Sequence, residues 1–205
     1  MSQSRYNLAI ETSSRRAAIA LGIDDQLLEV AELPPQRRQN LDLLPCIDML
    51  TQKHGLTPAG LIEVCVSLGP GSFTGLRVAV ASAKMLAMTL GCRVIGIPTL
   101  DVLRAQHPGA MVCLHVKRGT AWSAGPGFEP SLRSLDEIDE TGLPLIADTL
   151  EHAQPAEPDV RQLWQLGRAA AAAQRYDDPL TLSPLYIREP EAVTLWDQRH
   201  GPAEP

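Results

Sequence analysis

The 205-residue sequence has few of the features that mark a metalloprotein, a nucleic-acid-binding protein or a membrane protein. Its five histidines form no His-x3-His or His-Glu-x2-His pair, so local spacing assembles no metal site. The 18 Lys and Arg are outnumbered by 24 Asp and Glu, with no basic block, which argues against a dedicated nucleic-acid surface on this chain. The longest apolar stretch, 76–90, is interrupted by Arg77 and Lys84, which argues against a membrane span.

The cysteines and the start of the chain also exclude several classes of protein. Cys46, Cys65, Cys92 and Cys113 lie among apolar residues, and none forms a Cys-x-x-Cys pair, so they are typical of reduced core thiols. The first residues lack the charged-then-apolar pattern of a signal peptide, and we therefore expect a cytoplasmic protein. The Gly-x-Ser-x-Gly elbow of a serine hydrolase is missing as well.

What the sequence does have is a glycine-rich turn between an apolar run and a long helical segment. Residues 69–77 read Gly-Pro-Gly-Ser-Phe-Thr-Gly-Leu-Arg. Leu76 stands where a Walker A loop needs lysine, and the glycine spacing is not that of a dinucleotide fingerprint. Two interpretations stay open: a helix-capping turn that packs tightly, or a loop that receives a ligand or partner. The residues concerned are Gly69, Gly71, Ser72, Thr74 and Gly75.

The pattern of apolar runs predicts an α/β protein in which three strands precede alternating helices and strands. Pro45 favours a start of the first helix close to that proline, and 125–158 receives no clear assignment. The predicted strands cover 6–10, 17–23, 27–33, 62–68, 93–97, 111–116 and 120–124, and the predicted helices about 39–54, 76–90, 99–106 and 160–176.

An acidic residue, Glu11, ends the first predicted strand and is followed by Thr12, Ser13 and Ser14. This order resembles the first phosphate loop of the actin-like ATPase fold, which reads Asp-x-Gly-Ser/Thr and whose aspartate holds hydrated magnesium. Glutamate replaces that aspartate here and no glycine precedes the turn, which argues against nucleotide hydrolysis. A capping role for Thr12 or Ser13 is the alternative.

Together these segments resemble the TsaB (YeaZ) family. The glycine loop is the longest and most specific match, whereas about 105–180 matches loosely. The resemblance implies an α/β, actin-like ATPase (ASKHA, ribonuclease H-like) fold with two lobes, the second of them shortened. The matching segments are 8–14, 43–48, 69–77, 81–84, 96–100 and 184–188, and the implied divisions are an N-terminal lobe at 1–103, a smaller lobe at 104–190 and a tail at 191–205.

The resemblance also implies a non-catalytic subunit with no metal and no cofactor of its own. Members of the family bind TsaD and, with TsaD and the ATPase TsaE, support threonylcarbamoylation of the adenosine 3′ of the anticodon in tRNAs that read codons beginning with A. TsaD is therefore the expected partner, TsaE acts with ATP in the complex, and tRNA is reached only through the complex.

Dimers of the family pack through two N-lobe helices, which correspond here to about 39–54 and 72–90. The second helix is rich in small residues, which let another helix approach closely. The expected interface residues are Leu43, Leu44, Ile47, Leu50, Leu76, Val80, Ala83 and Ala87.

Two other classes of function stay open. One is an enzyme, either an actin-fold ATPase or a glycoprotease-like protein; the other is a homodimer in which the same helices self-associate. The sequence departs from the family at Glu11 and at 115–122, where His-Val-Lys-Arg-Gly-Thr-Ala-Trp replaces a typical Asp-Ala-Arg-Arg-x-Glu-Val-Tyr. These departures concern a ligand pocket and the TsaE-dependent steps rather than the helix interface.

Overall fold

Two five-stranded mixed sheets form the frame of the protein, and the computed structural model describes residues 5–33, 39–150 and 153–187. The first sheet has the order β3-β2-β1-β4-β5. Its hairpins β1–β2–β3 are antiparallel, whereas β4 runs parallel to β1 and β5 parallel to β4. The strands are β1 Tyr6–Glu11, β2 Ala18–Ile23, β3 Gln26–Glu32, β4 Leu61–Gly69 and β5 Arg93–Pro98.

Helices cover both faces of the first sheet. Because successive strand residues point to opposite faces, Leu8 and Ile10 of β1 join one core cluster and Ala9 joins the other. The first cluster contains side chains from α1 and α2, and the second contains Val160, Leu163 and Trp164 from α5. The helices are α1 Gln39–Lys53, α2 Phe73–Leu90, α3 Thr99–Gln106, α4 Leu135–Asp139 and α5 Val160–Ala172.

The second sheet has the order β10-β9-β6-β7-β8. The predicted pair β6–β7 is confirmed, but 125–158 is not featureless: it contributes β8, α4 and two very short strands. The short strands and α4 contain too few apolar residues for an alternating or helical pattern to be recognised in the sequence. The strands are β6 Met111–Lys117, β7 Thr120–Gly125, β8 Phe128–Ser134, β9 Leu145–Ala147 and β10 Gln154–Pro155.

Two expectations about the elements need correction. The first helix begins at Gln39, so Pro45 lies inside it rather than in its first turn. The last helix ends at Ala172, four residues before the predicted Tyr176. By contrast, the helix-capping interpretation of Ser72 is confirmed, since Ser72 is the N-cap of α2, and Gly91 is its C-cap.

The chain returns to the first sheet after the second sheet is complete. Helix α5 packs on the face that carries Ala9, Ala20 and Cys65. Arg168 of α5 is ion-paired with Glu63 of β4 and, at 2.9 Å, with Asp25 between β2 and β3. The division of the chain at 103/104 stays a prediction, but residues 160–187 pack with the N-terminal lobe and not with the second sheet.

Helix α2 is the one described helix that is long and apolar enough to cross a membrane, with a mean hydropathy of 1.3 over 18 residues. Six of its residues, including Leu76, Val80 and Ala83, are buried within the protein. A core helix passes the same test of length and composition, and the packing of α2 on the sheet is that of a core helix.

Cys65, Cys92 and Cys113 are buried thiols, as the sequence predicts. Burial is the main reason that the pKa of Cys92 and that of Cys113 rise to about 11. These two thiols are therefore neutral and unreactive near neutral pH.

A close contact fixes α5 on β1 and β2. The indole Nε1 of Trp164 donates a hydrogen bond to Asn7 Oδ1, and Asn7 Nδ2 donates to the Asp24 carbonyl at 3.0 Å. Gly22 lies directly under the indole, where an added Cβ would be 2.6 Å from Trp164 ring atoms. The absence of a side chain at Gly22 is thus what lets the helix approach the sheet.

We predict that Gly22→Ala lowers the free energy of unfolding by about 1–3 kcal/mol, because the indole must shift and its bond to Asn7 is disturbed. Urea denaturation followed by tryptophan fluorescence measures the change. Gly109→Ala is the matched control, since nothing lies within 4 Å of its Cβ position. Equal stability of the two variants would contradict the role assigned to Gly22.

Candidate functional site

The glycine loop and the β1–β2 turn meet where β1 and β4 end. The Ser72 N–H donates to the Ser13 carbonyl at 2.7 Å, and Thr12 Oγ1 donates to the Gly75 carbonyl at 2.8 Å. An added Cβ on Gly71 would lie 2.3 Å from the Ser13 carbonyl oxygen, which is closer than any packing allows. The two segments are therefore in backbone contact, and glycine at position 71 is required for that contact.

The loop uses its own hydrogen-bond donors within the protein. Gly75 N–H donates to Ser72 Oγ at 3.3 Å, which is the predicted helix cap. Leu76 N–H donates to the Ser72 carbonyl, and Gly69 N–H donates to Thr99 Oγ1 at 3.1 Å. A phosphate loop keeps such groups free for its anion. The geometry therefore favours the capping interpretation of this loop.

Glu11 lies behind the loop and is fully buried. Its Oε1 accepts a hydrogen bond from the Ser13 N–H at 2.6 Å. Its Oε2 has no partner among the described residues, and neither do the buried hydroxyls of Ser13 and Ser67. The alternation of β4 places Ser67 on the same side as Cys65, a signal that sequence reasoning overlooked.

The environment of Glu11 favours the neutral acid. Burial raises its pKa from 4.5 to about 7, against the opposing effect of the Ser13 N–H and of the nearby hydroxyls of Ser13 and Ser67. The Ser13 and Ser67 hydroxyls are close enough to Glu11 to favour its charged carboxylate form. Neither hydroxyl, however, forms a hydrogen bond of ordinary geometry.

The magnesium and nucleotide that an actin-like fold implies do not fit these residues. The acid at the magnesium position is fully buried and is held by the Ser13 N–H. Within 5–33, 39–150 and 153–187, no group of three or more His, Cys, Asp or Glu residues is placed to hold a metal ion. Four backbone N–H groups of the loop, those of Gly69, Ser72, Gly75 and Leu76, donate hydrogen bonds within the protein instead.

A cleft of about 630 Å³ lies between the two sheets, beside the glycine loop. One wall contains Ser13, Arg15 and Ser72, and the other contains Asp148 and Glu157. Glu157 is ion-paired with Arg16 at 3.1 Å. Charges of both signs thus line the cleft, which does not favour an anion such as a nucleotide phosphate.

The residues predicted at a partner interface do not lie on the surface, with one exception. Leu44 is 41% exposed. The other seven face the sheet and are at most 7% exposed, because the periodic apolar stripe of each helix is the stripe that the core takes. These seven, which a partner cannot reach, are Leu43, Ile47, Leu50, Leu76, Val80, Ala83 and Ala87.

A second apolar stripe runs along the opposite side of α2. Ala81, Met85 and Met88 follow one another at helical spacing and are exposed, with Met85 at 43% and Met88 at 62%. We call these three residues the outer face of α2. On α1, Met49 is 71% exposed, so that helix has two exposed apolar residues among those named here, Leu44 and Met49. The spacing of 81, 85 and 88 was the sequence signal for this face.

The pKa of Glu11 predicts a fall in stability as pH rises. Because the folded state binds the Glu11 proton more tightly than the unfolded state, the contribution of Glu11 to stability is greatest below pH 4.5 and decreases until about pH 7. This decrease amounts to about 3 kcal/mol in the free energy of unfolding, and we expect it to be absent in Glu11→Gln. Urea denaturation at pH 5 and pH 8 measures it, with the exposed Glu129→Gln as control. An unaltered pH dependence in Glu11→Gln would contradict the assignment.

The close contact at Gly71 predicts that a methyl group added at this position disturbs the structure locally. Gly71→Ala should separate the glycine loop from the β1–β2 turn, break the Ser72–Ser13 hydrogen bond and cost about 2 kcal/mol or more. Hydrogen exchange at the Ser72 amide should accelerate, whereas Gly109→Ala should leave it unchanged. Retained protection of the Ser72 amide in Gly71→Ala would show that the two segments do not depend on this contact.

Comparison with known proteins places the chain in a family. A family model described as TsaD, tRNA N6-adenosine threonylcarbamoyltransferase, matches residues 35–116. An uncharacterized protein of Mycobacterium tuberculosis is 32% identical over 154 residues, covering 68% of this chain and 70% of that protein. The tRNA threonylcarbamoyladenosine biosynthesis protein TsaB of Bacillus subtilis is 31% identical over 148 residues, covering 70% of this chain and 64% of that protein.

Solved structures agree on the fold. The structure titled YeaZ from Pseudomonas aeruginosa matches with a TM-score of 0.67 at 18% identity, over 88% of this chain and 100% of that one. A second Pseudomonas aeruginosa structure, of a protein with similarity to the peptidase YEAZ, gives a TM-score of 0.70 over 90% of this chain and 100% of that one. The two sheets and the order of their strands are those of a two-lobed, actin-like (ribonuclease H-like) α/β fold. The chain belongs to the TsaB (YeaZ) family.

Proposed function

We propose that this chain is a non-catalytic subunit of a cytoplasmic complex that makes threonylcarbamoyladenosine in tRNA, and that it acts by binding a TsaD-type transferase. TsaE, with ATP, is the further component of the proposed complex. The modified residue would be the adenosine 3′ of the anticodon in tRNAs reading codons that begin with A. The named relatives, which are biosynthesis proteins of this modification, support the proposal.

The observation that carries the proposal is the outer face of α2. Methionine side chains exposed to this extent on a helix are unusual away from interfaces, and methionine adapts readily to a partner surface. The opposite side of the same helix is buried in the core, so the outer face is held on a rigid support. An interface between helices is thus the natural use of α2, with Leu44 and Met49 of α1 as further exposed apolar residues.

The contacts in the region that corresponds to a phosphate loop support a non-catalytic subunit. Its donors are engaged within the protein, and Glu11 is a buried acid whose raised pKa favours the neutral form. A partner with a functional nucleotide and metal site would then supply the reaction. Contact with tRNA would come through that partner, because the chain has a net charge of −6.

We predict that Met85→Glu and Met88→Glu each weaken binding to TsaD from the same organism by about tenfold or more, because each places an unpaired charge in an apolar contact. Isothermal titration calorimetry and size-exclusion chromatography of the mixed proteins measure the effect. Leu132→Glu is the matched control, an exposed leucine on β8 of the second sheet with 50% exposure.

Three outcomes distinguish the candidate functions. Undiminished TsaD binding by both methionine variants would refute the outer face as the interface. A homodimer that never exchanges with TsaD would favour the structural alternative. Hydrolysis of ATP by the purified chain that is lost in Glu11→Ala would favour the ATPase. Charge at Ala83 or Ala87 is unsuitable for this test, because both are buried and the fold would be damaged.

A further inference from the structure

An aromatic–arginine cluster stands at the N-terminal end of α2, on the side of its outer face. The Arg77 guanidinium carbon lies 3.9 Å from the centre of the Phe73 ring and 5.9 Å from that of Tyr186. Arg77 Nε donates a hydrogen bond to Tyr186 Oη at 3.0 Å, and the two rings are 5.5 Å apart. Arg77 is exposed, as are Phe73 at 44% and Tyr186 at 42%. We call these three residues the Arg77 clamp.

The C-terminal segment holds the clamp in place. Leu182 is buried in the same core as α2, and Leu185 N–H donates to the Leu68 carbonyl of β4 at 2.7 Å. Lys84 of α2 donates to the carbonyls of Leu180 and Leu182 at 3.3 and 3.0 Å. Tyr186 is thus carried on a segment that is tied to both β4 and α2. An exposed group fixed in this way loses little conformational entropy on binding.

The chemistry of the clamp suits an oxyanion such as a carboxylate. Both rings and the Tyr186 hydroxyl fix the plane of the guanidinium, and only its Nε is used. Within the part of the chain that the structure describes, the two Nη groups have no hydrogen-bond or ion-pair partner. They form the fork that takes the two oxygens of a carboxylate. Arginine and aromatic residues are also those that most often dominate the energetics of an interface.

We propose that the Arg77 clamp is the charged anchor of the interface and binds an aspartate or glutamate side chain of the TsaD-type partner. This inference rests on the proposed function, because it adds a polar contact at the end of the apolar outer face, one helical turn before Ala81. An acidic protein side chain is a better occupant than RNA. The chain has a net charge of −6, which repels a polyanion, whereas a single carboxylate needs only a local cation.

The test compares four variants of this chain for affinity to TsaD from the same organism, with melting temperature as the check on folding. Arg77→Ala should weaken binding about tenfold or more, and Arg77→Lys should restore little of it because lysine lacks the planar fork. Arg77→Glu should weaken binding further by repulsion. Arg93→Ala is the matched control, an exposed arginine of β5 whose guanidinium carbon lies 4.3 Å from the centre of the Tyr176 ring.

Charge exchange supplies the decisive result. Asp→Arg and Glu→Arg variants across the TsaD surface are screened against Arg77→Glu, and one of them should recover most of the lost affinity. Wild-type affinity in Arg77→Ala, or no recovery by any exchange, would overturn the clamp while leaving the proposed function intact. Absence of binding by the wild-type chain would overturn both. An effect of Arg77→Ala on tRNA affinity alone would also overturn the clamp, in favour of RNA.

Discussion

The backbone contact between the glycine loop and the β1–β2 turn is the constraint on which the rest of this structure depends. It joins the end of β1 to the start of α2 through two hydrogen bonds, from Ser72 to Ser13 and from Thr12 to Gly75. It also depends on a packing distance that only glycine at position 71 permits. Once the loop lies there, α2 is placed along the sheet and its buried stripe is defined. The same contact engages the Ser72 N–H within the protein.

The molecule therefore has the frame of an actin-like fold, while several N–H groups of this loop are engaged within the protein. Glu11 illustrates the change, since a longer acid at the magnesium position turns into the interior and its pKa rises until the neutral form competes near neutral pH. The cost of burying it is offset only in part by the Ser13 N–H, because its second oxygen has no partner among the described residues.

The proposed function consequently lies on the outside of α2 rather than in the cleft. One helix carries two apolar stripes: small residues that fit closely against the sheet, and larger exposed methionines on the other side. The Arg77 clamp adds a fixed cation and two rings at one end of the exposed stripe. A rigid helix with an apolar stripe and one oriented charge is suited to recognising another protein rather than to transforming a small molecule.

The sequence by itself determined the elements whose signals are local. The Ser72 and Gly91 caps, the apolar runs of β1 and β2, the alternation of β3 and the short helix α3 follow from residues close in the chain. The glycine-loop motif identified the family. The sequence also predicted that α1 and α2 matter for a partner, which stays a prediction.

Only the tertiary structure decided which side of those helices is free. Because α2 is apolar on both sides, periodicity alone does not distinguish the stripe with Ala83 and Ala87, which the sheet buries, from the stripe with Met85 and Met88. The Arg77 clamp was equally hidden from the sequence, since Arg77 and Tyr186 are 109 positions apart and meet only because the C-terminal segment returns to the first sheet. Contacts of this range depend on the whole folded chain, and no local pattern encodes them.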